Sequence, residues 1–164
     1  MIFTIVFICV ALVQLYSNEF SYVGADKCKI CHKTEKQGAQ YTIWESTKHS
    51  KSYQALTLDE TKAKVPDAPE NPDCLKCHGP LHEKAPEFKE EGVTCEVCHG
   101  PGSDYKKLSV MKNREDAVSK GLIVYESEEA IKAQCLSCHE MAHDKPFDFA
   151  AAWEKIKHPK PEEK

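Results

Sequence analysis

Cys28-Lys29-Ile30-Cys31-His32 is a C-x-x-C-H pentapeptide, and the same form returns at Cys74-Leu75-Lys76-Cys77-His78, Cys95-Glu96-Val97-Cys98-His99 and Cys135-Leu136-Ser137-Cys138-His139. This spacing is the attachment signature of c-type haem. Two thiols about one helical turn apart can add across the two vinyl groups of one porphyrin, and the adjacent imidazole then reaches that porphyrin's iron. The eight cysteines are therefore read as thioether positions, and His32, His78, His99 and His139 as proximal ligands. Zinc is the competing reading, because Cys74, Cys77, Cys95 and Cys98 fall within zinc-ribbon spacing. A histidine after every second cysteine argues against it, since a four-thiolate zinc site has no use for that residue.

The chain has nine cysteines, and the ninth, Cys9, lies in an N-terminal apolar run. Ile2 to Leu15 contains no charged side chain, and the first one in the chain is Glu19. That run is short for a bilayer span, which takes roughly 20 residues, and suits the apolar core of an export signal. Residues 1–17 are read as a signal peptide, with an uncleaved anchor as the alternative because no lysine or arginine precedes the run. A periplasmic or extracellular location follows, with residues 18–164 as one domain. That leaves about 37 residues for each motif, little protein for a core of its own. Haems and thioether staples are expected to supply what the apolar side chains cannot.

A formal charge of −4 and a pI near 6.1 disfavour nucleic acid and anionic membranes as partners. They fit docking to other redox proteins, although 21 of the 22 basic residues are lysines and could form a local positive patch.

The motifs recur at separations of 46, 21 and 40 residues, so this is no fixed-period repeat. The fold class expected is mostly α with long loops, a small multihaem cytochrome c built around four packed haems. One helix is predicted over residues 33–58, with Tyr41, His49, Tyr53 and Leu56 on one face. A second is predicted over 104–120, capped by Ser103 or Asp104 and turning Leu108, Met111 and Val118 inward. Phe149, Trp153 and Ile156 mark a third, ending near His158 because Pro159 follows, and a shorter one begins near Ser127. Residues 62–73, with three prolines, read as a surface loop. Val93-Thr94 and Ile123-Val124-Tyr125 allow a two-stranded ribbon at most.

Four histidines remain for the far faces of the irons: His49, His82, His143 and His158. His49 and His158 sit on or at the end of apolar helix faces. His82 and His143 each follow a proximal histidine by four residues, so each suits a neighbouring haem better than its own. Met111 reads as packing, and Met141 follows His139 too closely to cross that ring.

The order of these features resembles the tetrahaem cytochrome c-554 family. The stretches that carry the resemblance are Tyr22 to Cys28, Trp44 through His49 to Tyr53, Gly92 to Gly102, and the phenylalanine-containing helix running to His158. It implies haems packed in stacked and perpendicular pairs, and a protein that carries electrons away from a redox enzyme. It also implies that His49 shares an iron with His139 and His158 with His99, while the iron held by His78 is five-coordinate. The family's histidine for the first haem, after Gly-Pro-Gly, has no counterpart between Ser103 and Arg114; His82 and His143 are the candidates to replace it, and the resemblance assigns far-side ligands for two haems alone. Three functional readings stand at this point: a relay for single electrons in a respiratory or nitrogen-cycle chain, a haem enzyme reducing a small nitrogen oxide at an open iron, and a self-associating subunit of a conductive filament.

Overall fold

The computed structural model of the chain describes residues 20–140 and 146–159. Residues 1–17, read above as a signal peptide, with Cys9 among them, and Met141 and His143 lie outside the described residues.

Each C-x-x-C-H occupies the end of a helix that stops at or beside its histidine. These are α1 (Ala25–His32), α5 (Pro72–His78), α6 (Cys95–His99) and α9 (Glu128–His139). Helical geometry puts residues three and four apart on one face, so both sulfurs and the imidazole of a motif point the same way. Between α1 and α5 come α2 (Gln40–Ser46), α3 (Ser52–Thr57) and α4 (Asp59–Lys62). Between α6 and α9 come α7 (Leu108–Met111) and α8 (Arg114–Ser119), and α10 (Phe149–Ile156) closes the described chain. No strand or ribbon occurs among the described residues. Of the two stretches that could have paired, Ile123 N donates instead to His99 O and Val93 N to His49 O, each at 3.0 Å.

The caps explain several boundaries. Ser127 Oγ accepts from Ala130 N at 3.2 Å, Asp148 Oδ1 from Ala151 N at 3.0 Å, and Asn71 Oδ1 from Asp73 N at 2.9 Å with Pro72 next in line. These are side-chain acceptors for N–H groups that the first helical turn leaves unpaired. So α9 and α10 fall where their sequences predict. The proline-bearing loop is shorter than expected, because Pro72 opens α5.

Two long helices are not formed. Residues 33–58 break into 3-10 turns at Glu35–Gln37 and His49–Lys51 together with α2 and α3. Gly38 and Ala39, both at positive φ (93° and 49°), end the first turn, and the extended Thr47 ends α2. Thr47 Oγ1 donates to Trp44 O at 2.7 Å, a local bond that competes with helix continuation. Tyr41, Tyr53 and Leu56 are nonetheless buried.

Residues 104–120 likewise split at Lys112–Asn113, where Asn113 caps α8 through a 2.9 Å bond from Asp116 N. A single helical wheel then no longer applies. Leu108 and Val118 are 65% and 47% exposed, while Val110, Ala117 and Tyr105 form the buried cluster, with Met111 and Leu122 against it. A second cluster joins Tyr53, Leu56, Ala68 and Leu75. The two are small and separate, and Cys74 of the second motif packs against the latter.

Candidate haem-binding site

The cysteine motifs interleave rather than follow one another in space. The thiols of Cys28 and Cys95 lie close enough to act on each other, which places the first motif beside the third. Cys77 lies similarly close to Cys138, placing the second motif beside the fourth, and Cys98 lies close to Cys135 and Cys138. Burial pushes the Cys77 and Cys98 thiols up to about 11. Three of the four thiols in the zinc-ribbon spacing, those of Cys77, Cys95 and Cys98, are thus distributed to different neighbours. No group of three or more metal-ligating side chains gathers among the described residues.

Two histidine pairs face each other. The His49 and His139 rings have centroids 6.1 Å apart, and those of His99 and His158 are 5.9 Å apart, each pair tilted by 47°. A metal–imidazole bond is about 2 Å and the ring centre about 1 Å beyond the nitrogen, so two imidazoles across one metal would be about 6 Å apart. The observed spacings fit an iron shared between the rings. Desolvation lowers the His49 and His99 imidazoles below the usual histidine value, with the neighbouring His139 and His158 acting in the same direction. The His158 ring is lowered too, again first by desolvation. Neutral imidazole is the form that binds a metal.

The rings are also oriented from behind. His78 Nδ1 donates to Ser52 O at 2.8 Å, and His32 Nδ1 donates to Gln40 Oε1 at 3.2 Å. Gln40 Nε2 donates to Pro159 O at 3.0 Å, which fixes which end of the amide faces His32. Such hydrogen bonds from behind the ring are the kind that orient a metal-bound histidine. His139 stacks on Phe147 with centroids 4.5 Å apart. His82 is differently employed: its Nδ1 donates to Gly79 O at 3.2 Å, and its Nε2 lies 3.7 Å from Glu83 Oε1. Both contacts are within its own turn.

Ser52 and Glu96 are functional residues that the motifs do not reveal. Ser52 Oγ lies 2.9 Å from both His49 O and His78 O and accepts from Val93 N at 3.0 Å. One hydroxyl thereby ties a far-side histidine, a proximal histidine and the approach to the third motif. Gly92, at φ 71° and ψ −138°, makes the approach possible: a Cβ there would sit 2.5 Å from Ser52 Oγ and 2.6 Å from His49 O. Glu96, an interior residue of the third motif, is 1% exposed. Its only advance signal is its position, between the glycines of Val23-Gly24 and Pro101-Gly102.

Helix-borne C-x-x-C-H motifs whose histidines meet in metal-spaced pairs define a c-type cytochrome. The family model described as cytochrome c554 and c-prime matches residues 27–100. The chain is also 27% identical over 165 residues to the cytochrome c-554 of Nitrosomonas europaea, a match covering 85% of this chain and 66% of that relative's length. No solved structure matches the chain. By these matches the chain is similar to the cytochrome c-554 family, a haem-carrying group, over a segment that includes its first three C-x-x-C-H motifs. No helix among the described residues is long and apolar enough to cross a membrane.

Proposed function

We propose that this chain is an exported carrier of single electrons that holds four haems c and works between redox proteins of a respiratory or nitrogen-cycle chain. The observation that carries the reading is the meeting of His49 with His139 and of His99 with His158 at metal spacing. Haem supplies a one-electron iron couple when bound; the residues decide how easily it is used. His32, His78, His99 and His139 would hold the near sides of bound haems, and His49 and His158 would hold the far sides of two of them. His82 and His143 are the remaining candidates for the others. Imidazole on both sides favours a lower potential than imidazole with a thioether. Closeness of the first motif to the third, and of the second to the fourth, supports porphyrins packed near enough to share electrons.

The test is a pyridine haemochrome assay with intact mass on the purified holoprotein. Four haems and no free thiol among the eight motif cysteines are expected. Three haems, or bound zinc, would overturn the proposal.

A further inference from the structure

Glu96 is a buried carboxylate with no place in haem attachment or ligation. Its Oε2 accepts from Gly24 N at 2.8 Å and Val23 N at 3.0 Å, and its Oε1 accepts from Gly102 N at 2.6 Å and Val23 N at 3.1 Å. Every one of these partners is a donor, and acceptance alone is what an ionised carboxylate offers. None of the ion pairs among the described residues includes Glu96. Lys106, which acts on Cys28, has its Nζ turned to Ser103 O at 2.9 Å.

A second carboxylate stands beside it. Glu91 Oε2 accepts from Ala25 N at 2.9 Å and from Thr94 Oγ1 at 3.0 Å. Together the two carboxylates hold the Val23–Ala25 segment, which leads into α1, against the start of α6. They are also near the sulfurs: both raise the Cys28 thiol electrostatically, and Glu91 raises Cys95. Cys28 and Cys95 belong to the motifs of the first and third haems.

We infer that Glu96, with Glu91 beside it, holds down the reduction potentials of the first and third haems. The inference rests on the four-haem reading above. A ferric haem carries one more positive charge than a ferrous one, so a fixed anion in a water-poor surrounding stabilises the oxidised state. Its effect is larger there than at the surface, because the effective dielectric is lower. Burial and neighbouring charge are among the means by which a protein sets haem potentials. Glu96 is thus a positioning and tuning residue: it fastens the first motif to the third and lends the joint a negative charge.

The experiment is a potentiometric titration of wild-type, Glu96→Gln and Glu96→Asp holoproteins, with haem content and ferric electron paramagnetic resonance recorded on each. Glu96→Gln should shift two haem potentials upward and leave the other two in place, at unchanged haem content and low-spin signal. Glu96→Asp keeps the charge and should keep the potentials low. A purely structural role would alter spin state or haem content in both variants without that selective shift. Unchanged potentials in Glu96→Gln, or equal shifts in all haems or in both variants, overturn the inference. If Glu96→Gln does not assemble, Glu91→Gln reads the same field: a smaller upward shift of the same two haems is expected, and no shift overturns the inference. A wild type that lacks four haems would instead refute the four-haem reading, so the two failures are distinct.

Discussion

Gly92→Ala is the sharpest test of the junction between His49 and the third motif. At φ 71° and ψ −138° the backbone lies where a side chain is strained, at a cost of about 1–3 kcal/mol. The added Cβ would also meet Ser52 Oγ at 2.5 Å and the His49 carbonyl oxygen at 2.6 Å. The carbonyl is backbone, and it is already engaged with Val93 N at 3.0 Å, so it cannot rotate aside as a side chain would. Overpacking of this kind adds about 1–3 kcal/mol. Reduced freedom of the unfolded chain returns about 0.4–1 kcal/mol. The net expectation is a loss of about 1–5 kcal/mol, or about 2–20 °C in Tm for a domain of this size. Thermal unfolding of the ferric holoprotein, followed by circular dichroism in the far ultraviolet and by the Soret band, gives the first number. Electron paramagnetic resonance gives the second, because displacement at His49 should appear as a new high-spin signal. A variant within about 0.5 kcal/mol of wild type, with its low-spin signal intact, would refute this account of the junction.

Two further outcomes bear on the histidine pairs. His49→Ala should convert one low-spin haem to high spin, about a quarter of the iron by spin counting in the four-haem protein; an unaltered low-spin signal would make His49 a packing residue. If His49 with His139 and His99 with His158 each share an iron, carbon monoxide added to the reduced protein should leave at least two haems spectrally untouched. Gas binding at three or more irons would disprove at least one of those pairings.

The parts legible in the sequence are those fixed by covalent or one-turn chemistry. C-x-x-C-H spacing cannot vary without losing a thioether, and Ser127 and Asp148 cap α9 and α10 through bonds that span only three residues. The segment over 33–58 was harder to read, because an apolar arc on a helical wheel records phase and not continuity. Tyr41, Tyr53 and Leu56 stay inward although Gly38, Ala39 and Thr47 interrupt the helix. The same ambiguity misplaced Leu108 and Val118. Glu96 was illegible for another reason. Lys29, Leu75 and Leu136 hold the same motif position without a comparable role, and the donors that make Glu96 distinctive lie 72 and 73 residues earlier in the chain and six residues later.

The facing histidines are threaded like crossed stitches. His49 meets His139 across 90 residues, and His99 meets His158 across 59, so each span contains one end of the other. A chain emerging amino end first presents His49 long before its counterpart exists, and during that interval the imidazole is free to take a nearer iron. Contacts this remote in sequence close slowly. If both pairs hold iron, maturation would have to tolerate, and later undo, temporary ligation at the earlier motifs. Nor can the protein be shortened from its carboxyl end: a cut after the third motif removes the counterpart of both stitches at once, leaving three sets of haem attachment points without the knots that tie them.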